Sequence, residues 1–428
     1  MKEIIPAGRV DGTVEVPGSK SLTQRALIAA ALAEGESTLL GPLASEDTAY
    51  TMTALRAMGA DINDDNPDRW LVRGIGGKIQ TPERDIFLGN NGTATRFLTS
   101  VAALGNGTFR IVGSKRMAQR PIDPLMAALQ GWGVVIKSDA DNNCPPLTIE
   151  AHGLAGGKTI LPEGKSSQYL SSLLLVAPFA REQAELEVQG EVFSKPYVEM
   201  TLAVMNDFGV QCEAVPTLNF FRIPRSCYRG LEYRIEGDAS GASYFWAAAA
   251  VTGGRVTVAN VPVPSLQGDA MLVPLLARMG CDVTRSKEGG LTVSGPEQLQ
   301  AIEVDMGDMP DVAPTLAIVA AFAEGTTVIN NIAHLRIKEC DRLSAMVTEL
   351  SKMGAEVEEE PDRMIIHGRA GGADLHGAEI ETYDDHRIAM CFAVAGLKIP
   401  EVRITGEDCV VKSFPDFWQR FGHLAEIR

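Results

Sequence analysis

Pro17-Gly18-Ser19-Lys20-Ser21-Leu22-Thr23-Gln24-Arg25 places a glycine turn, two hydroxyls and a lysine where an alternating strand (Thr13 to Val16) passes into an apolar helix (Ala26 to Ala33). Such a junction suits anions, because the first backbone N–H groups of a helix have no partner within it and the dipole favours negative charge. Arg25 falls about one turn further on. Taken alone, the stretch reads equally as an N-cap serine beside a solvated lysine, since the phosphate-loop spacing G-x-x-x-x-G-K-[ST] is absent. Further cations stand beside Gly, Ser and Pro turns: Arg96, Lys115, Arg116, Arg120, Lys195, Arg336, Lys338, Arg342, Arg387 and Lys412. Guanidinium forks match carboxylate and phosphate, so together they point to a doubly or triply anionic ligand. Two carboxylates sit among them, Asp311 after Pro310 at a helix start and Glu339 flanked by Lys338 and Arg342. A carboxylate among cations stays ionised and can serve as a base, whereas burial favours acid duty. Asp311 also reads as a helix N-cap, and His386 as a hydrogen bonder within its own turn.

The elements that must position these groups recur with one period. A helix end followed by Gly appears six times, at Gly59, Gly133, Gly209, Gly280, Gly354 and Gly422, with spacings of 74, 76, 71, 74 and 68 residues. Glycine there is the expected left-handed helix cap. A polar loop opening an apolar helix recurs alongside: Ser19-Lys20-Ser21, Asn90 to Thr93, Lys165 to Gln168, Asp238 to Ser240, Asp308 to Asp311, and Asp384 to His386. The helices that follow (Ala26–Ala33, Phe97–Leu104, Leu170–Ala180, Tyr244–Val251, Thr315–Ala323, Ile388–Gly396) are apolar nearly all round and should be buried. A strand-like run follows each. Six α/β units of about 70 residues result, which suits two domains of three units with a break near Arg229-Gly230-Leu231. If the domains face each other, the helix N-termini converge on a cleft that attracts anions.

Composition narrows the partners. A chain of 428 residues, 45% apolar and 22% charged, is an ordinary globular one. A net charge of −16 argues against nucleic acid or an anionic membrane. No leader or membrane-spanning run is legible, so a cytoplasmic location and a bacterial rather than plastid source are expected. The seven scattered cysteines imply neither a disulfide framework nor a metal site. Chemistry read from the residues alone reaches an enzyme or binder of small polyanions.

At these residues the chain resembles the 5-enolpyruvylshikimate-3-phosphate (EPSP) synthases, a family of enolpyruvyl transferases. PGSKSLTQRAL, LGNNGTATRFL, RPIDPL, GKSSQYLSSLLL, SKPYVEMTL, EGDASGASYFWAAAA, PDVAPTLAIVAA, RIKECDRLSAM, DDHRIAM and KSFPDF occur in the family's order from end to end. The resemblance implies a two-domain inside-out α/β barrel, each domain holding three βαβαββ units. Residues 19–235 would form the domain on the shikimate 3-phosphate side. Residues 1–18 with 236–428 would form the other, on the phosphoenolpyruvate and acid/base side. It implies transfer of the enolpyruvyl group of phosphoenolpyruvate to the 5-hydroxyl of shikimate 3-phosphate, with release of phosphate. No cofactor or metal is implied, nor any partner beyond the two substrates of a monomer. By matching motif, Lys20, Ser21, Arg25, Ser166, Ser167, Gln168, Ser194, Asp311, His334 and Lys338 would hold shikimate 3-phosphate. Lys20, Gly92, Arg120, Gln168, Arg342, Arg387 and Lys412 would hold phosphoenolpyruvate. Asp311 would take the hydroxyl proton, and Glu339 and Lys20 are candidates for proton transfer at the methylene carbon. His334 stands where Asn is common and Phe97 where Pro is common. Gly92 leaves room for inhibitors of the glyphosate type, so sensitivity is expected. The sister enzyme acting on UDP-N-acetylglucosamine would carry a cysteine within Gly113 to Pro121, and none is there. A non-catalytic sugar-phosphate sensor would lack Asp311 or Glu339.

Overall fold

The computed structural model describes residues 1–163, 166–286 and 289–426. Lys165, expected in the third polar loop, lies outside them. By its contacts the chain forms two compact units, Met1–Ser19 with Glu236–Arg428, and Lys20–Ile235.

The unit Lys20–Ile235 holds three four-stranded sheets of one design, in which an edge strand runs parallel to the second while the third and fourth are antiparallel. One is Glu232–Arg234, Glu36–Leu40, Arg69–Arg73, Asp61–Asn66. The next is Ile86–Phe87, Asn106–Val112, Leu147–His152, Val135–Ser138. The third is Gly157–Leu161, Ala184–Val188, Phe220–Ile223, Glu213–Ala214. The last strand of the unit, Glu232–Arg234, thus pairs with its first, Glu36–Leu40, Tyr233 opposite Leu39.

The other unit borrows strands from the N-terminus. Asp11–Val14 runs parallel to Arg255–Val258, which pairs with Leu291–Ser294 and it with Asp282–Arg285. Lys2–Glu3 pairs with Arg403–Ile404, itself parallel to Glu379–Ile380. Between them in sequence, Leu299–Gln300 and Glu303–Asp305 both run parallel to Ala323–Asn330, followed in the sheet by Met364–Gly368 and Glu356–Glu359. The first strand ends at Val14 rather than the expected Val16. Asn260 takes over there, accepting from Val16 N at 3.0 Å and donating to Val16 O at 2.6 Å, which replaces two ladder bonds.

Six buried helices fill the units: Lys20–Leu32, Gly92–Ala102 and Ser167–Val176 in one, Ala239–Thr252, Ala313–Ala321 and His386–Gly396 in the other. Every residue of the last three is buried, as an all-round apolar sequence requires. Each begins before the apolar run that announces it, and in three of them a polar residue caps the first turn. Asn91 accepts from Ala94 N at 2.9 Å, Asp238 from Gly241 N at 2.8 Å and Asp385 from Arg387 N at 3.0 Å. Leu173, Leu174 and Leu175 each contribute roughly 1.5–3 kcal/mol by burial. Where helices meet, hydroxyls satisfy one another, Ser100 with Ser172 at 2.5 Å and Ser243 with Thr315 at 3.0 Å. Of the six spaced glycines, five have positive φ and close the last turn of a second helix, as at Gly209 (φ 90°), whose N–H donates to Asn206 O at 2.9 Å. Gly422 differs, lying inside the helix Phe417–Glu426.

Candidate active site

In the unit Lys20–Ile235 described cations stand in the first turns of two of its buried helices, Lys20–Leu32 and Gly92–Ala102. Lys20 is not a solvated charge. Its side chain is 14% exposed and Nζ lies 3.3 Å from Asp47 Oδ2. Asp47, in the first turn of Glu46–Ala57, is fixed through its carbonyl, which accepts from Asn91 Nδ2 at 2.7 Å and Gln24 Nε2 at 3.2 Å. Arg25, one turn beyond Ser21, is buried and bonded to neutral groups alone: Nε to Thr201 Oγ1 at 2.7 Å, Nη1 to Ser21 O at 2.9 Å, Nη2 to Ser171 Oγ and Tyr197 O, both at 3.1 Å. Burial pushes its pKa down to about 10, and the guanidinium lies over the Phe97 ring, 5.3 Å from its centroid. Arg96 is likewise buried on neutral partners, Gly92 O, Pro121 O and Met117 Sδ. Arg25 and Arg96, buried among hydroxyls and carbonyls, keep their charge locally uncompensated, a setting that favours an anion.

Gly92 and Arg120 form one device. Arg120 donates from Nη1 to Asn90 O at 3.1 Å, and its guanidinium occupies the space above Gly92. A Cβ on residue 92 would meet Cζ of Arg120 at 2.8 Å and Nη1 at 2.9 Å. The room that glycine provides is thus filled by a cation. Nearby, Gln168 Nε2 donates to Thr93 Oγ1 at 3.3 Å. Ser166 and Ser167 open the helix Ser167–Val176. Ser194, buried and left-handed at φ 54°, opens Lys195–Asp207.

In the other unit the charges interlock. Asp311 receives Arg387 Nη2 at 2.7 Å on Oδ2, and Arg342 Nη1 at 3.2 Å and Lys338 Nζ at 3.6 Å on Oδ1. Burial alone would raise its pKa; Arg387, Lys338 and Arg342 together outweigh that and hold the carboxyl well below the usual range. Asp311 is therefore not the N-cap its position allows, since the helix Ala313–Ala321 has no side-chain cap. Arg342, 1% exposed, ties three carboxylates: Asp311, Glu339 at 2.7 Å and Asp385, whose Oδ2 lies 2.7 Å from Nε. Burial lowers the Arg342 pKa, but those acids overcome it and raise it above its ordinary value. Lys412 Nζ stands 3.7 Å from the other oxygen of Glu339. His334, buried beside Lys338, is pushed down to about 4 by burial first and that lysine second, so its imidazole is neutral near pH 7.

The structure thus gathers Lys20, Ser21, Arg25, Gly92, Arg120, Ser166, Ser167, Gln168 and Ser194 in one unit and Asp311, His334, Lys338, Glu339, Arg342, Arg387 and Lys412 in the other. Arg336 stands apart from this set. It binds Asp341 at 3.0 Å and Glu359 at 2.7 Å, and so staples two surface segments. Lys115 is exposed, and Arg116 donates to Gln119 at 3.4 Å within its turn. Sequence reasoning missed Asp47 and Asp385 as partners of Lys20 and Arg342. Each lies in a first helical turn or cap, where an acid complements the dipole and signals nothing more. Among the described residues no group of three or more His, Cys, Asp or Glu could hold a metal ion, and no helix is long and apolar enough to cross a membrane.

Repeated α/β elements, four of whose buried helices start beside buried cations or a clamped carboxylate, define an α/β protein built to handle small anions. The profile described as EPSP synthase (3-phosphoshikimate 1-carboxyvinyltransferase) matches residues 4–421. Curated relatives named 3-phosphoshikimate 1-carboxyvinyltransferase include one from Nostoc punctiforme, 43% identical and covering 97% of both chains, and one from Syntrophobacter fumaroxidans, 43% identical over 99% of both. The solved EPSP synthase of Acinetobacter baumannii superposes with a TM-score of 0.82 at 28% identity, covering 99% of this chain and 97% of that one. The chain belongs to the EPSP synthase family.

Proposed function

We infer that this protein is a transferase that moves the enolpyruvyl group of phosphoenolpyruvate to the 5-hydroxyl of shikimate 3-phosphate, releasing phosphate. The observation that carries the reading is the joining of Asp311, Glu339 and Asp385 by Arg342 beside Lys338, Arg387 and Lys412, within a chain of this family. Protonating the methylene carbon builds positive character at the neighbouring carbon. An acid must therefore reach one end of phosphoenolpyruvate while cations clamp its carboxylate and phosphate. Arg342, Arg387 and Lys412, with Lys20, Gly92, Arg120 and Gln168, supply the clamp. Arg25, Ser21, Ser166, Ser167 and Ser194, with Lys20 and Gln168, hold shikimate 3-phosphate, supported by the uncompensated charge of Arg25. His334 and Lys338 complete the set assigned to shikimate 3-phosphate. The unit Lys20–Ile235 carries most of the shikimate 3-phosphate contacts.

Asp311 takes the 5-hydroxyl proton. A carboxylate gripped by three cations is a weak base. Its basicity rises when Arg387 and Lys338 turn to the substrate anions, so arrival of both substrates switches the base on. Glu339, which faces Arg342 and Lys412, and Lys20 remain the two candidates for proton exchange at the methylene carbon. The protein acts as a monomer in the cytoplasm, without metal or organic cofactor. Calorimetry tests the ligand assignment. Shikimate 3-phosphate should bind alone and gain affinity when an unreactive phosphoenolpyruvate analogue is present, whereas tighter binding of UDP-N-acetylglucosamine would overturn it.

A further inference from the structure

Asp269 is a buried carboxylate that the mechanism above leaves unused. It lies in the short turn Gly268–Met271, packed against the start of the helix Ala239–Thr252. Ser240 Oγ donates to Asp269 Oδ2 and, at 3.4 Å, accepts from Arg387 Nη2, the same nitrogen that donates to Asp311. The turn is fixed from behind. Gln267 Oε1 accepts from Ala239 N at 2.9 Å, and Gln267 Nε2 donates to Glu236 at 3.0 Å and Gly237 O at 2.7 Å.

We propose that Asp269 is a positioning residue for the transfer reaction, anchoring the Arg387 guanidinium through Ser240. The inference rests on the assignment of Arg387 to phosphoenolpyruvate. To grip that anion Arg387 must give up part of its bond to Asp311, and a cation loosened from that carboxylate needs a second hold to stay in place. Ionised Asp269 accepts the Ser240 hydroxyl hydrogen bond and so turns a hydroxyl lone pair toward Arg387, which keeps a second hold on it. The charged groups facing Asp269 are Asp238 from the start of Ala239–Thr252, Arg387 from His386–Gly396 and Asp311 from the turn Pro310–Val312; Glu236 stands behind Gln267. Burial, then Asp311, push the Asp269 pKa up against Arg387 and Ser240, to about 6. The anchor is thus set in the neutral range and loosens below it.

Three variants test this: Asp269→Asn, Ser240→Ala and, as control, Arg387→Ala. The first two should each raise KM for phosphoenolpyruvate roughly tenfold, as expected for loss of one charge-assisted hydrogen bond, while kcat falls less than about threefold and the Kd for shikimate 3-phosphate holds. The wild-type kcat/KM should carry an ascending limb near pH 6 that Asp269→Asn lacks; ionisation of the substrate phosphate is common to both enzymes. The folded pKa lies above the unfolded one, so stability falls as pH rises between them and stays lowered above pH 6. Asp269→Asn should then melt no lower than wild type at pH 7.5, which loss of a merely structural bond would not give. Should that variant fail to fold, Ser240→Ala decides by the same KM. If Arg387→Ala leaves KM for phosphoenolpyruvate unchanged, the site assignment itself falls. If it raises KM while Asp269→Asn and Ser240→Ala do not, only the anchor is overturned.

Discussion

Arg387 Nη2 lies 2.7 Å from Asp311 Oδ2, closer than Arg342 or Lys338 comes to the same carboxylate. The pair joins a helix start, at Arg387, to a turn 76 residues earlier in the chain. It makes the base and one of the substrate-gripping cations a single unit, so disturbing either changes both.

Asp311→Ala should slow turnover by ~10²–10⁴, the usual contribution of a positioned acid or base. Calorimetry should show shikimate 3-phosphate still bound nearly as well, because the buried arginine and serines of the other unit are untouched. Near-normal turnover would remove Asp311 from the mechanism.

The same residue governs acid stability. Its folded pKa is held below the unfolded one, so its contribution is present above the unfolded pKa and is lost as pH falls toward the folded value. The stability difference between wild type and Asp311→Asn, from denaturant titrations, should be flat from about pH 7 to 9, bend near pH 6 where loss of the Asp311 charge shifts Asp269, and shrink below about pH 4. A difference that changes between pH 7 and 9 would contradict this.

Gly92→Ala should act through Arg120. The new Cβ cannot share the space of the guanidinium, and residue 92 sits in a helix backbone that cannot retreat. KM for phosphoenolpyruvate should rise about tenfold or more, matching roughly 1.4 kcal/mol of lost contact. The inhibition constant of glyphosate should rise with it; an unchanged constant would count against this geometry.

His334→Asn should keep most of the activity. The imidazole, pushed down to about 4, is neutral across the working range and offers hydrogen bonds as an amide does. The pH–rate profiles of variant and wild type should coincide from pH 6 to 8. A limb lost in the variant would mean that His334 titrates there.

Lys412→Ala should mainly weaken capture of phosphoenolpyruvate, read as a raised KM with kcat changed less, since Lys412 belongs to the clamp proposed for that substrate.

Much of this was legible in the chain. Cap residues and glycines act locally, so the capped helix starts at Asn91, Asp238 and Asp385 and five of the six helix ends stand where their spacing puts them. Glu339 and Arg342 are three residues apart, and their ion pair follows from helical geometry. The rest depends on partners far off in sequence. Arg336 looks like its neighbour Lys338 until Glu359 claims it, and Arg25 gives no sign that its partners are all uncharged. Asp385 and Asp269 reveal their duties only when Arg342 and Ser240 arrive beside them. A strand boundary failed for the same reason, because Asn260 is 244 residues from the Val16 it caps.

The most direct test is phosphate release with purified protein. Shikimate 3-phosphate and phosphoenolpyruvate together should yield one phosphate per enolpyruvyl group transferred, and neither alone should yield any. Binding of both without phosphate release, or release supported by UDP-N-acetylglucosamine in place of shikimate 3-phosphate, would contradict the account.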